Sequence, residues 1–258
     1  MTHDPRWTLI TGASSGIGAD LARVFAARGR SLVLVARRRD RLEALADELA
    51  RPGIDVEVMV ADLEDPAAPQ ALLAAVEAKA ILLHSLVNNA GFGLRGTFAT
   101  LPYERQMAMI ELNVTALARM CRLALPGLIQ RRTGGILNVA STAAFQAGPS
   151  MAVYYATKAF VLSLSEALHE EAKPHGIVVT ALCPGPTTTE FASVADLEKS
   201  KLFQAGAMSS AEVARLGVEG YEAGRAVVVT GLANRLGSIG AQLLPRAMTR
   251  KIAGRLQG

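Results

Sequence analysis

The 258 residues are half apolar and 19% charged, with 5% aromatics and a formal net charge of +4. That length suits one α/β domain with a large core. The modest charge, with arginines dispersed and no stripe of interleaved aromatics, excludes a dedicated nucleic-acid binder and leaves only some attraction for anions. Cys121 and Cys183 have no metal-ligand spacing, and the histidines His3, His84, His169 and His175 form no ligand-like cluster, so no metal site is expected. Two isolated thiols imply a reducing compartment. With no apolar leader and no run approaching a membrane span, the expectation is a cytoplasmic protein.

Trp7-Thr8-Leu9-Ile10 predicts a short buried strand, and Ala19, Leu21, Ala22, Val24, Phe25 and Ala26 give the next helix an apolar face. Between them lies Thr11-Gly12-Ala13-Ser14-Ser15-Gly16-Ile17-Gly18. Glycines at a strand-to-helix turn permit tight backbone and close approach of another group. A first helical turn presents unpaired N–H groups and partial positive charge. Gly12, Ser14, Ser15, Gly16, Ile17 and Gly18 are therefore expected to hold a pyrophosphate. The spacing Gly-x-x-x-Gly-x-Gly differs from the commoner Gly-x-Gly-x-x-Gly, and the plain alternative is an ordinary glycine-rich loop. Gly12 to Gly16 also has the form of a hydrolase nucleophile elbow with Ser14 as nucleophile. On a first strand, however, the preceding strand and loop that complete an oxyanion hole are missing.

Further strands are predicted over 31–36, 56–60, 85–89, 135–140, 177–182 and 226–230. They alternate with helices over 38–49, about 66–76, 103–129 and 151–173. The alternation implies a single-domain, doubly wound parallel sheet, Rossmann-like, with about seven strands and helices on both faces across 1–258. In such sheets ligands sit beyond the carboxyl ends of the strands. The turn at Gly12–Gly18, Arg37, Asp62, Asn89-Ala90-Gly91, Ser141 and Pro184-Gly185 all fall at those ends.

A dinucleotide fold that takes NAD(H) ends its second strand in an acid that accepts hydrogen bonds from the ribose. Here Ala36-Arg37-Arg38 occupies that place. A guanidinium cannot accept such bonds but pairs with a 2′-phosphate. NADP(H) is therefore expected over NAD(H), with Arg37 as its reader, while Arg39 and Arg41 belong to the solvated face of the next helix. Asp62, followed by Leu63, either accepts a bond from the adenine amino group or caps the stretch that follows. Asn89-Ala90-Gly91 suits close approach to a cofactor ribose, or simply a tight strand exit.

Tyr154 and Lys158 stand four apart on a predicted helix and share a face. Ser141 lies just past the fifth strand and Asn113 in the middle of the long preceding helix. Together they suggest proton transfer to or from a carbonyl or alcohol oxygen. Bringing a free Tyr from about 10 to neutrality takes roughly 4 kcal/mol, which a neighbouring ammonium helps to supply. Ser141 would hydrogen-bond the substrate oxygen as charge develops. Tyr155 is a competing phenol, three residues from Lys158.

Over nearly its whole length the chain resembles the short-chain dehydrogenase/reductase superfamily. The resembling residues are Thr11 to Gly18, Asn88-Asn89-Ala90-Gly91, Asn113, Ser141, Tyr154-Tyr155-Ala156-Thr157-Lys158 and Pro184-Gly185-Pro186-Thr187. The resemblance implies an oxidoreductase that moves hydride between NADP(H) and a small-molecule carbonyl or alcohol. It implies Tyr154 as acid/base, Lys158 lowering its pKa and holding the nicotinamide ribose, Ser141 orienting the substrate oxygen, and Asn113 holding a water in a proton relay. Pro184, Gly185 and Thr187 or Thr189 would meet the nicotinamide end. NADP(H)-preferring members commonly carry Arg where Arg37 stands, and many have a basic residue where this chain has Ser15. A homodimer or homotetramer is also implied. The alternative from another class is a catalytically idle NADP(H)-binding sensor or interaction protein.

The segment near 190–208 resembles the family's substrate cover. With Phe191, Leu197, Phe203 and Met208 there, and Phe92, Ala143, Ala144 and Phe145 near the cleft, a hydrophobic ketone, aldehyde or acyl-type substrate is expected. In the stretch 234–257, Leu236, Ile239, Leu243, Leu244, Met248, Ile252 and Leu256 roughly follow helical spacing, with Arg235, Arg246, Arg250, Lys251 and Arg255 among them and no acid. Pro245 should split this helix. A subunit contact or packing on the domain is expected there rather than membrane contact, since apolar residues alone need burial.

Overall fold

Strands buried on both faces read as continuous apolar runs, and the second one, Ser-Leu-Val-Leu-Val-Ala, is of this kind. The structure, a computed structural model, describes residues 6–190 and 206–257. In chain order it runs β1 (Trp7–Thr11), α1 (Gly16–Ala27), β2 (Ser31–Ala36), α2 (Arg39–Leu49), β3 (Val56–Val60), α3 (Ala68–Ala78) and β4 (Leu83–Asn88). There follow α4 (Tyr103–Ile110), a π turn (Glu111–Ala116), α5 (Leu117–Arg131), β5 (Gly135–Val139), α6 (Ala152–Ala172) and β6 (Val178–Cys183). After a short ladder of β7 (Thr187–Thr188) with β8 (Met208–Ser209) come α7 (Ser210–Glu222), β9 (Val227–Val229), α8 (Leu232–Leu243) and α9 (Arg246–Gln257).

The seven-stranded sheet has the order β3-β2-β1-β4-β5-β6-β9, and every pairing is parallel. Alternate residues feed two cores on opposite faces. Leu9, Val33, Val35, Leu86, Ile136 and Val179 pack with α3, α5 and α6 through Leu72, Val76, Met120, Leu128 and Val161. Ile10, Leu32, Leu34, Val87, Leu137 and Leu182 pack with α1, α2 and α7 through Leu21, Phe25, Leu42, Val213 and Val218. The fold is thus the expected Rossmann-like, doubly wound sheet. Its strand order reverses between β1 and β4, where a crevice opens at the carboxyl edge.

Two elements depart from the sequence expectation. The long helix continues through a π turn at Asn113, so Tyr103–Arg131 is helical over 29 residues and contains a window of mean hydropathy 1.2, enough by length and composition to cross a membrane. No such run was expected. Met109, Ala116, Leu117, Met120, Cys121 and Leu128 bury one side of it in the protein, the pattern of a layer helix. The helix over Ser210–Glu222 was not expected at all. Its interior glycines lower helix propensity, but packing requires them: a Cβ on Gly217 would come 2.7 Å from Leu182, and one on Gly220 2.2 Å from Val228.

Candidate active site

The glycine turn is built for close approach. Gly12 and Gly16 have φ of +66° and +54°, where side chains are disfavoured. A Cβ on Gly18 would lie 2.2 Å from the Gly12 carbonyl oxygen and 2.4 Å from Asn89 Nδ2. That amide holds the turn closed by donating to the Thr11 and Gly12 carbonyls at 3.0 and 3.1 Å. Thr11 Oγ1 accepts from the backbone N–H groups of Asn89 and Ala90, each at 3.0 Å. Ser15, at the N-cap of α1, makes no side-chain cap, so the helix's first N–H groups face the cleft uncapped by it.

The cleft has a volume of about 930 Å³. Gly12, Ser14, Ser15, Gly16, Ile17, Gly18, Arg37, Asp62, Leu63, Asn89, Ala90, Gly91, Ser141, Tyr154, Lys158, Pro184, Gly185, Thr187 and Thr189 all border it. Asn113 does not; it lies just behind, almost fully buried. Its Nδ2 donates to the Phe92 carbonyl at 2.9 Å and to Thr157 Oγ1 at 3.2 Å, and its Oδ1 accepts from Phe92 N–H at 3.1 Å. The π turn that carries it is a common device at functional sites.

On the adenosine side, Arg37 is half-exposed and turned to Glu64 at 3.0 Å, with Asp62 at 3.7 Å. Arg38 goes the other way, over the glycine turn. It donates to Ser14 Oγ at 3.0 Å and Ser15 Oγ at 2.9 Å, and pairs with Glu190 at 3.0 Å. Arg41 also pairs with Glu190, which the two guanidiniums hold well below the usual carboxylate range, at about 2. Arg41 is therefore not on a purely solvated face. The grip of Arg38 on Ser14 also removes the hydrolase reading, because a guanidinium cannot take a proton from a serine. Asp62 Oδ1 accepts from Glu64 N–H at 3.1 Å, closing a local turn well before α3 begins.

At the reacting end, Ser141 Oγ accepts from Ala143 N–H at 3.1 Å and is hydrogen-bonded to the Tyr154 hydroxyl. Tyr154 and Lys158 share one face of α6, with Lys158 Nζ 5.8 Å from the phenol ring centre. Lys158 Nζ donates to the Val139 carbonyl at 2.8 Å. The sequence expectation was that the ammonium draws the phenol pKa down. In the chain itself the phenol is pushed up, because burial outweighs the Ser141 hydrogen bond. Burial also pushes Lys158 down, to about 8. The pair thus holds a firmly protonated phenol beside an amine that exchanges protons near neutrality.

That inversion fixes a pH dependence. Below about 8 Lys158 is charged and can stabilise a phenolate as it forms; above it the charge is lost, while Tyr154 keeps its proton throughout. For carbonyl reduction, kcat/KM for the nicotinamide cofactor, which reports the free enzyme, should be level to about pH 7 and fall through an alkaline limb near 8. A profile level to pH 10 would contradict this assignment.

Of the apolar residues expected near the cleft, Phe92 and Ala143 border it, whereas Ala144 and Phe145 pack on the core beneath. Phe191, Leu197 and Phe203 lie outside the described residues. Met208 pairs with Thr187 in the short ladder. Sequence reasoning missed Arg38, Glu190, Met151 and the wall formed by Asn234, Leu244, Thr249 and Ile252. For the wall no local signal exists, since its residues are chosen by where the C-terminal helices land.

Residues 6–199 match the family model for short chain dehydrogenase. A short-chain dehydrogenase from Sphingobium yanoikuyae, solved in complex with NADPH, superposes with a TM-score of 0.82 at 38% identity, covering 92% of each chain. A short chain dehydrogenase/reductase from Burkholderia phymatum, solved in complex with NAD, superposes with a TM-score of 0.81 at 27% identity, covering 93% of each chain. The monensin polyketide synthase putative ketoacyl reductase of Streptomyces virginiae is 38% identical over 189 residues, covering 72% of each protein. With the family's glycine turn, serine, tyrosine and lysine gathered at one sheet edge, the chain belongs to the short-chain dehydrogenase/reductase superfamily and is an oxidoreductase of that family.

Proposed function

We propose that the protein is an NADP(H)-dependent reductase of hydrophobic carbonyl compounds: ketones, aldehydes or acyl-type substrates. The observation that carries this reading is the buried Tyr154 phenol, hydrogen-bonded to Ser141 in the cleft that Lys158 and the glycine turn also border. A nicotinamide dinucleotide, when bound, supplies the hydride. Gly12, Ser14, Ser15, Gly16, Ile17 and Gly18 would hold its phosphates, Asp62 and Leu63 its adenine, and Asn89, Ala90 and Gly91 a ribose. Pro184, Gly185, Thr187 and Thr189 would meet its nicotinamide end.

The Tyr154 hydroxyl donates its proton to the substrate oxygen: the phenol O–H bond breaks as the alcohol O–H bond forms. Ser141, whose Oγ is fixed by the Ala143 N–H, turns its own hydrogen to the same oxygen. The Lys158 ammonium compensates the phenolate left behind. Asn113 Oδ1 sits 2.9 Å from where a Gly91 Cβ would be, with Lys158 Nζ 3.8 Å from the same point, so it can hold a water that returns a proton towards Lys158. A phenol kept protonated by burial suits reduction.

We assign preference for NADP(H) to Arg37 together with Arg38, both of which border the cleft. The NADPH complex of the Sphingobium relative supports this, and the NAD complex of the Burkholderia one makes the test necessary. Losing one charge-assisted phosphate contact costs about 1.5–3 kcal/mol, roughly 10–100-fold in affinity. Arg37→Asp should weaken NADPH binding by that factor and leave NADH binding nearly unchanged in a fluorescence titration. An unchanged preference in both Arg37→Asp and Arg38→Glu would sink the assignment. NADPH oxidation with a panel of carbonyl compounds tests the rest. Phe92, Leu112, Met151, Tyr155, Leu244 and Ile252 around the cleft support apolar substrates, and turnover of small charged ketones alone would overturn that part.

Exposed Leu123 and Phe160, on α5 and α6, support a homodimer or homotetramer. The free, buried thiols of Cys121 and Cys183 support a cytoplasmic setting.

A further inference from the structure

The C-terminal helix pair does not hide its large apolar residues. Leu232, Leu236, Ile239 and Leu243 recur on one side of α8 and are between 45% and 80% exposed. Pro245 splits the stretch as expected, and α9 continues the apolar surface with exposed Met248 and Ile252. What the pair does bury is small: Ser238, Thr249 and Ala253. A Cβ on Gly254 would meet Pro149 at 3.3 Å, which places α9 against the loop before α6. The expected packing of the apolar residues on the domain is therefore corrected. Small side chains make that contact.

The surface also carries an unbalanced charge. Arg235, Arg246, Arg250, Lys251 and Arg255 are all exposed, and no acid follows Glu222 in the sequence. Elsewhere many arginines are paired with acids, among them Arg23 with Asp20 and Glu48, Arg28 with Glu222, Arg119 with Glu111, and Arg215 with Glu219. None of the five C-terminal cations has an acid partner among the described residues. Exposed apolar stripes flanked by unpaired cations are the signature of a helix lying in an anionic interface. A second copy of the chain docked through the same face would bring like charges together. A lone apolar pocket for a partner helix would not need five cations.

The helix pair is also one wall of the cleft. Ala233, Gly237 and Ala241 line it from α8, and Leu244 and Ile252 both line it and remain more than a third exposed. The apolar surface and the cleft are thus continuous at the Leu244–Ile252 rim. We propose that α8 and α9 dock the protein on an anionic lipid surface, with the cleft mouth at the bilayer, so that lipophilic substrate enters from the membrane rather than from water. Docking itself does not depend on the catalytic reading; only the route of the substrate does.

The test uses the full chain and co-sedimentation with vesicles of phosphatidylglycerol and phosphatidylcholine, against vesicles of phosphatidylcholine alone. Binding is expected to the anionic vesicles, weakened by salt, at roughly fivefold per cation engaged. Leu236→Gln with Leu243→Gln, and separately Arg250→Glu with Lys251→Glu, should each reduce it at least tenfold. Both variants should keep an unchanged NADPH titration, which verifies the fold and separates this result from any failure of the proposed reaction. Equal binding to neutral vesicles, or none to either, overturns the proposal. So does a fall in oligomeric size of the Leu236→Gln, Leu243→Gln variant by light scattering, which would give the face to a second copy. Association with an acidic carrier protein but not with vesicles would give it to a protein partner and overturn it equally.

Discussion

Tyr154→Phe should lower kcat for carbonyl reduction by about 10³-fold, within the 10²–10⁴-fold range of a lost general acid. The substitution removes one hydroxyl and keeps the ring. The ring is almost wholly buried and meets Tyr155 edge-on, with centres 6.2 Å apart. Stability should therefore change by no more than about 1 kcal/mol, the worth of one neutral hydrogen bond to Ser141. NADPH affinity should be nearly unchanged. The neighbouring Tyr155→Phe is the control that separates the two phenols. If Tyr155→Phe abolished turnover and Tyr154→Phe did not, the proton donor would be the wrong one. Stopped-flow NADPH oxidation measures both.

Gly18→Ala should damage cofactor binding and stability together. Its Cβ has no room, lying 2.2 Å from the Gly12 oxygen and 2.4 Å from Asn89 Nδ2. Neither neighbour is free to move, because Asn89 also holds the Thr11 carbonyl and Gly12 sits at positive φ. Overpacking of this sort costs about 1–3 kcal/mol, which in a chain of this size is roughly 2–10 °C in Tm. The turn must open to accept the methyl group, so the first N–H groups of α1 leave their places and NADPH affinity falls by more than tenfold. Thermal denaturation with a fluorescence titration measures both effects. A fully stable variant that binds NADPH normally would falsify the role given to this turn.

Much of this was legible in the sequence, and the reasons differ by element. The strands β2 and β3 match their expected ranges: β2 lies inside the sheet and reads as an unbroken apolar run, while β3, at the sheet edge, keeps valines at alternate positions around Glu57 and Met59. The turn at Gly12–Gly18 was legible because glycine is required there by conformation. Ser141, Tyr154 and Lys158 were legible from spacing and family resemblance, and the fold brings them to one cleft. The sign of the Tyr154 shift was not, since burial has no local signature in sequence. The π turn was invisible because it changes hydrogen-bond partners and not composition. Helix α7 did leave a signal: Ser209 and Glu212 have the spacing of a capping box, and Ser209 Oγ accepts from Glu212 N–H at 3.2 Å. Its glycines obscured that signal. Arg38 was overlooked beside Arg37 because sequence shows two adjacent arginines without showing that successive side chains leave in different directions.

The two-residue ladder of β7 with β8 has a bearing on how this family member could change. Thr187 is paired with Met208 and Thr188 with Ser209, so the chain departs and returns through a neck one strand spacing wide. The neck is fastened at the carboxyl edge, by Met208 N–H to the Pro186 carbonyl at 3.0 Å, and not within the seven-stranded sheet. Closing a longer loop through a fixed neck costs little, about 0.6 kcal/mol for each doubling of its length. Closure entropy therefore sets only a weak limit on how much chain the Thr187–Met208 neck can carry, whatever that chain's own structure.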